Sequence, residues 1–78
     1  MSHKPLVLRP GDRVVPVGQV QEQLNTVINA DLIVDNIFGP ATEASLREFQ
    51  RLARLPETGI VDQATWYRLF ATAGGGSS

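Results

Sequence analysis

Val34 to Arg51 reads V-D-N-I-F-G-P-A-T-E-A-S-L-R-E-F-Q-R. A turn, a helix start and an amphipathic helix follow one another in it without a break. Asp35-Asn36 is a turn dipeptide, because both side chains bond nearby backbone and tolerate left-handed φ. Gly39 falls at the N-cap and Pro40 at the first helical position, where the missing N–H of proline has no intrahelical partner to lose. Glu43 puts negative charge in the first turn, on the side the helix dipole favours. Thr42, Leu46, Phe49 and Ala53 recur at helical spacing and make one inward stripe. A helix over 40–53 is predicted. Glu43 and Arg47, at i and i+4, are placed for a surface ion pair.

Working outward, the preceding helix is predicted from Val15 or Pro16 to about Ile28, with Val17, Val20, Leu24, Val27 and Ile28 on one face. Gln19, Glu22, Gln23 and Thr26 fall on the other. Asn29 is the expected C-terminal stop. Ala30 to Ile33 is a connector with Leu32 or Ile33 turned inward. On the other side, Pro56 forbids continuation of the central helix, Glu57-Thr58-Gly59 is a turn, and Ile60-Val61 is a short extended piece. Asp62 is a good N-cap for a third helix over 63–71, with Trp66, Leu69 and Phe70 as its apolar face. At the start, Arg9-Pro10-Gly11-Asp12 is a turn, and Leu6-Val7-Leu8 pins the N-terminal arm to the core. Val34-Asp35…Gly39-Pro40-Ala41-Thr42 and Val61-Asp62-Gln63-Ala64-Thr65 form a faint internal repeat. Each puts a short extended segment before a helix that opens with Ala-Thr, and the two segments are candidates to pair with one another.

Several stretches in this order resemble the peptidoglycan-binding domain family: L-R-P-G-D near the start, V-x-x-L-N in the first helix, V-D-N-I-F-G-P-A-T and L-R-E-F-Q in the centre, and L-P-E-T-G-I-V-D-Q-A-T-W near the end. The resemblance runs from about Arg9 to Phe70. It implies an all-α fold, a compact three-helix bundle with short extended segments before helices two and three. It also implies a non-catalytic module that anchors an attached hydrolase, transpeptidase or structural protein to the bacterial wall, at an extracellular or periplasmic location. The chain departs from the family pattern at Asn36, Ile28 and Arg54, where glycine is usual, and at Val14, where a small residue is usual. Metalloproteinase pro-domains are built on a similar fold, which leaves a protein-interaction module as the alternative, although the cysteine that would ligate a metal in such a pro-domain is missing.

Length and composition agree with one small domain: 78 residues with 42% hydrophobic content support a single core. The expected division is an arm over 1–5, the domain over 6–72 and a flexible Gly/Ser tail over 73–78. A formal net charge of −1, with arginines interleaved among acids, excludes the basic footprint that nucleic-acid binding needs. The absence of cysteine removes disulfides and thiol chemistry. No apolar run approaches membrane-spanning length, and Met1 to Pro5 shows no signal-peptide pattern. A monomer with no membrane and no nucleic-acid partner is expected.

Catalysis finds little to work with. The only histidine, His3, stands in the N-terminal arm, so no base is placed beside a nucleophile. No set of ligands has zinc-site spacing, no glycine loop cradles a phosphate between strand and helix, and no cofactor is called for. Asp35 and Asp62 as a hydrolytic carboxylate pair compete with their simpler roles at a turn and a cap. Binding remains. A polar, repetitive ligand is held by amides, carboxylates and guanidinium groups over an apolar surface, and the candidates are Asp35, Asn36, Phe38, Thr42, Arg47 and Gln50. Each has a structural alternative: Asp35 and Asn36 shape the turn, Phe38 packs in the core, Thr42 bonds backbone in the first helical turn, and Gln50 bonds a connector. Trp66 is read as packing beside Phe49 in preference to stacking on a sugar. The open N–H groups of the helix start near Gly39 and Ala41 are suited to a carboxylate.

Overall fold

The computed structural model describes residues 7–74. Its order is α1 (Val15–Ile28), α2 (Pro40–Leu52) and α3 (Gln63–Gly74). Each boundary has a local cause. Before α1, Val14 is extended, and at its other end Asn29 turns left-handed (φ 54°) and sends its N–H back to the Leu24 carbonyl. Gly39 is extended at the start of α2 and Pro40 opens the helix. Asp62 caps α3, its Oδ1 accepting the Thr65 N–H at 3.0 Å. That helix continues through Gly74, past the Ala71 expected from sequence. Gly75 to Ser78 lie outside the described residues, as do Met1 to Leu6, so the remainder of the expected tail and the arm itself do too.

The end of α2 is tighter than its sequence suggests. Leu55 donates its N–H to the Gln50 carbonyl at 2.7 Å, a six-to-one closure, with Arg54 left-handed between them (φ 62°). A non-glycine residue there pays for its Cβ about 1–2 kcal/mol. Glycine loses part of that advantage through extra freedom in the unfolded chain. Arg54→Gly is therefore expected to raise stability by a net ~0.5–1 kcal/mol, read as a higher urea midpoint at unchanged slope. An unchanged or lower midpoint would show that the Arg54 side chain has stabilising contacts of its own.

α1 packs against both α2 and α3. The core between them is Leu8, Val17, Val20, Leu24, Phe38, Leu46, Phe49, Val61 and Leu69, all buried. Leu32 packs against this cluster, whereas Ile33 is exposed, which settles which of the two connector residues turns inward. Trp66 lies at the edge of the core with its ring 4.7 Å from that of Phe70, one helical turn on.

One expected pairing is corrected. The extended pieces before α2 and α3 do not pair with each other; each pairs with the stretch before α1. Leu8 and Val61 exchange both backbone bonds, at 3.0 and 2.8 Å, while Phe38 donates to Asp12 O at 2.8 Å and Gly11 donates to Phe38 O at 2.9 Å. The physical reason is the turn at Arg9 to Asp12, held by the Asp12 carboxylate accepting the Arg9 N–H. It presents extended backbone on both of its sides, Leu8 on one and Asp12-Arg13 on the other, so both segments find partners there.

Candidate functional site

Two buried glutamines organise the molecule. Gln21 on α1 accepts the N–H groups of Asp35 and Asn36 at its Oε1, and donates from Nε2 to Asp35 Oδ1, the Ile37 carbonyl and Thr42 Oγ1, all at 3.0–3.1 Å. Gln50 on α2 does the same for the next turn. Its Oε1 accepts the Gly59 N–H, and its Nε2 donates to Thr58 Oγ1, the Ile60 carbonyl and Thr65 Oγ1. The faint repeat in the sequence is thus a repeated hydrogen-bonding unit: a helix glutamine, a turn with one left-handed residue, and the first-turn threonine of the next helix. The left-handed residue is Asn36 (φ 64°) in the first unit and Gly59 (φ 72°) in the second.

Size is traded across each turn. Three residues before each glutamine stand Gly18 and Arg47. A Cβ on Gly18 would overlap the Asn36 side-chain oxygen; a Cβ on Gly59 would lie 3.0 Å from Arg47 Nε. In the first unit the turn supplies the side chain and the helix is bare; in the second the helix supplies it and the turn is bare. Asn36, where the family pattern has glycine, is matched by Gly18.

The units differ in length. Asp35, Ile37 and Thr42 stand 14, 16 and 21 residues after Gln21. Their counterparts Thr58, Ile60 and Thr65 stand 8, 10 and 15 after Gln50. The first unit is longer by six at every point: α1 runs seven residues past Gln21 whereas α2 runs two past Gln50, which accounts for five, and the sixth lies in the connector after α1. Asn25 clamps it from α1, accepting the Leu32 N–H at 2.6 Å and donating to the Leu32 carbonyl at 2.9 Å.

This connector builds a groove of about 420 Å³. Asp31, Leu32 and Ile33 form one wall, Gly39 to Thr42 at the start of α2 form the other, and Gln21, Asp35 and Ile37 lie between them. Ile33 is 79% exposed and Ile37 42%, so the groove offers aliphatic surface to solvent. It also offers charge and hydrogen bonds. The Asp35 carboxyl is held below its ordinary pKa, first by the bond from Gln21 and then by the Ile37 N–H, and stays ionised at neutral pH. No side chain caps α2, so the N–H of Ala41, an exposed residue, stays open to water or a ligand. In α3 the equivalent position is closed by Asp62.

The model of the putative peptidoglycan binding domain family matches residues 13–69. The chain belongs to this family. Among solved structures it is similar to a peptidoglycan-binding protein from Clostridioides difficile in complex with glutamine hydroxamate, with 31% identity and a TM-score of 0.77. The match covers 82% of this chain and 40% of that one, so the chain spans less than half of that protein's length. No curated protein matches the chain.

In this peptidoglycan-binding domain the six residues singled out from sequence divide into three groups. Asp35 and Thr42 come together in the groove, although the Thr42 hydroxyl is buried and taken by Gln21. Asn36 is exposed beside them, over Gly18. Phe38 and Gln50 present no surface: Phe38 is 1% exposed in the core and Gln50 is fully buried, holding the second turn. Arg47 is exposed but belongs to that second turn, bonding the Glu57 carbonyl at 2.6 Å and pairing with Glu43 at 3.2 Å, as its spacing predicted.

Sequence reasoning missed Gln21, Asp31, Ile33 and Ile37. Gln21 was findable: Val20-Gln21 on the α1 stripe matches Phe49-Gln50 on the α2 stripe, each ahead of an Ala-Thr helix start. Among the described residues, no group of three or more His, Cys, Asp or Glu is placed to hold a metal, and no helix is long and apolar enough to cross a membrane.

Proposed function

We propose that this domain is a non-catalytic module that binds peptidoglycan through the groove between the connector and the start of α2. It would thereby hold an attached hydrolase, transpeptidase or structural protein against the wall. The observation that carries this reading is the groove at the first turn, open between the connector and the start of α2. The two connectors are nearly equal in length, eleven residues before α2 and ten before α3, so what counts is the lining of the first and not its length. That lining gives the groove aliphatic walls, an ionised carboxylate and an open N–H group at Ala41.

Such a groove is shallow, and little apolar surface is buried in it. Affinity per site is expected on the order of 10–1000 μM. That is enough for a tether, because an attached domain then works at high effective concentration of wall. The support for a non-catalytic role is that Asp35 is committed to the turn through Gln21 and Ile37, and that no histidine or cysteine occurs from Val7 to Gly74 to serve as base or nucleophile.

The test is retention on purified, protein-free peptidoglycan. Ile33→Ser removes aliphatic wall from the groove at a position 79% exposed. Its effect on stability should stay within about 0.5 kcal/mol, while retention falls several-fold. Retention equal to the parent would place binding on another face. A parent that no wall preparation retains would leave the protein-interaction reading in its place, and release of soluble muropeptides by the pure domain would overturn the non-catalytic one.

A further inference from the structure

The groove has a sign and a texture that narrow what fits it. This step rests on the peptidoglycan-binding reading above and asks which part of the wall the groove takes. Its hydrocarbon surface comes from Leu32, Ile33, Ile37 and Pro40, and among the described residues no aromatic side chain lines it. A sugar ring presents a flat face of C–H groups that packs best on a flat aromatic face; branched aliphatic walls suit a methylene chain instead. Two carboxylates, Asp31 and Asp35, line the same groove, and among the described residues no lysine, arginine or histidine does. Both side-chain bonds of Asp35 fall on Oδ1, from Gln21 and from the Ile37 N–H, which leaves Oδ2 available. The complement of aliphatic walls with two negative charges is an aliphatic chain ending in a cation.

We infer that the groove binds the ammonium-bearing diamino residue of the peptidoglycan stem peptide, with its methylenes along Ile33 and Ile37 and its ammonium between Asp31 and Asp35, and does not bind the sugar strand. Cross-linking of the wall acylates that amine and removes its charge. The groove therefore favours stems that are not cross-linked at this residue, and it directs an attached domain to the less cross-linked regions of the wall.

The experiment compares four ligands by calorimetry or fluorescence at low salt: a purified stem peptide with its free side-chain amine, the same peptide with that amine acetylated, peptide-stripped glycan strands, and intact wall in a pull-down. The free-amine peptide should bind and acetylation should weaken it at least fivefold. Raising salt should also weaken it, as exposed charges are screened, and stripped glycan should not bind.

Asp31→Asn/Asp35→Asn should weaken the free-amine peptide to the level of the acetylated one and lose the difference between them. Both replacements keep the side-chain shape. Asparagine retains the oxygen that takes the Ile37 N–H, and it suits the left-handed backbone at position 31 (φ 61°). Glu22→Gln/Glu48→Gln, which removes two exposed charges outside the groove, controls for the same change in net charge and should bind like the parent. Two results would overturn the inference while leaving wall binding standing: intact wall retained with stripped glycan binding equally well, or acetylation without effect on the parent. Failure of the parent to be retained by intact wall would overturn both.

Discussion

Gln21→Leu is expected to destabilise the domain by ~3–5 kcal/mol, out of a total of ~4–12 kcal/mol for a chain of this size. Volume is not the cause, since leucine and glutamine are of similar size. The cause is what Gln21 leaves behind. It is 1% exposed and makes five bonds. Without it the N–H groups of Asp35 and Asn36 and the Thr42 hydroxyl lose their partners together, and an unsatisfied buried polar group costs about 1–3 kcal/mol. Some of these groups lie near the groove and recover water, which keeps the total below the sum of the separate costs. Urea denaturation followed by circular dichroism measures the loss. A midpoint within about 1 kcal/mol of the parent, converted through the slope, would mean that the turn before α2 holds itself.

Phe49→Ala should cost about 3–5 kcal/mol, the usual range for removing a buried phenylalanine. Phe49 is 3% exposed and belongs to the cluster that joins the three helices. It also borders a shallow apolar depression with Val27, Ile28, Leu52 and Ala53. The space left by its ring therefore opens partly to solvent instead of sealing as a void, and the loss should fall in the lower half of the range. A variant that melts close to the parent would remove Phe49 from the core.

Much of the fold was legible because its boundaries are written in local chemistry. Pro40 after Gly39, Asn29 after an apolar stripe, Asp62 three residues before Thr65 and Pro56 after α2 each act on the backbone within a turn of where they stand. The pairing of Val61 with Leu8 and of Ile37 with Arg13 was not legible, because a bridge one residue long has no periodicity for a pattern to show. Gln21 was passed over because a polar residue between apolar ones reads as surface, and only its counterpart Gln50 reveals the shared role. Phe38 and Arg47 looked like binding residues because their types suit a polysaccharide. Burial of one, and the carbonyl and carboxylate partners of the other, are decided by contacts between elements. The groove depended on how the connector after α1 sits against the start of α2, a contact between elements that no local pattern records.

The central claim is that the first unit of the repeat binds the wall and the second only supports it. Backbone amide shifts of the labelled domain, titrated with a soluble muropeptide, separate the two directly. The changes should gather at Asp31 to Ile33, at Asp35 and Ile37, and at Gly39, Ala41 and Thr42, while Thr58 to Thr65 stay in place. Changes centred on Thr58 to Thr65 and Arg47, or no changes at saturating muropeptide, would contradict it.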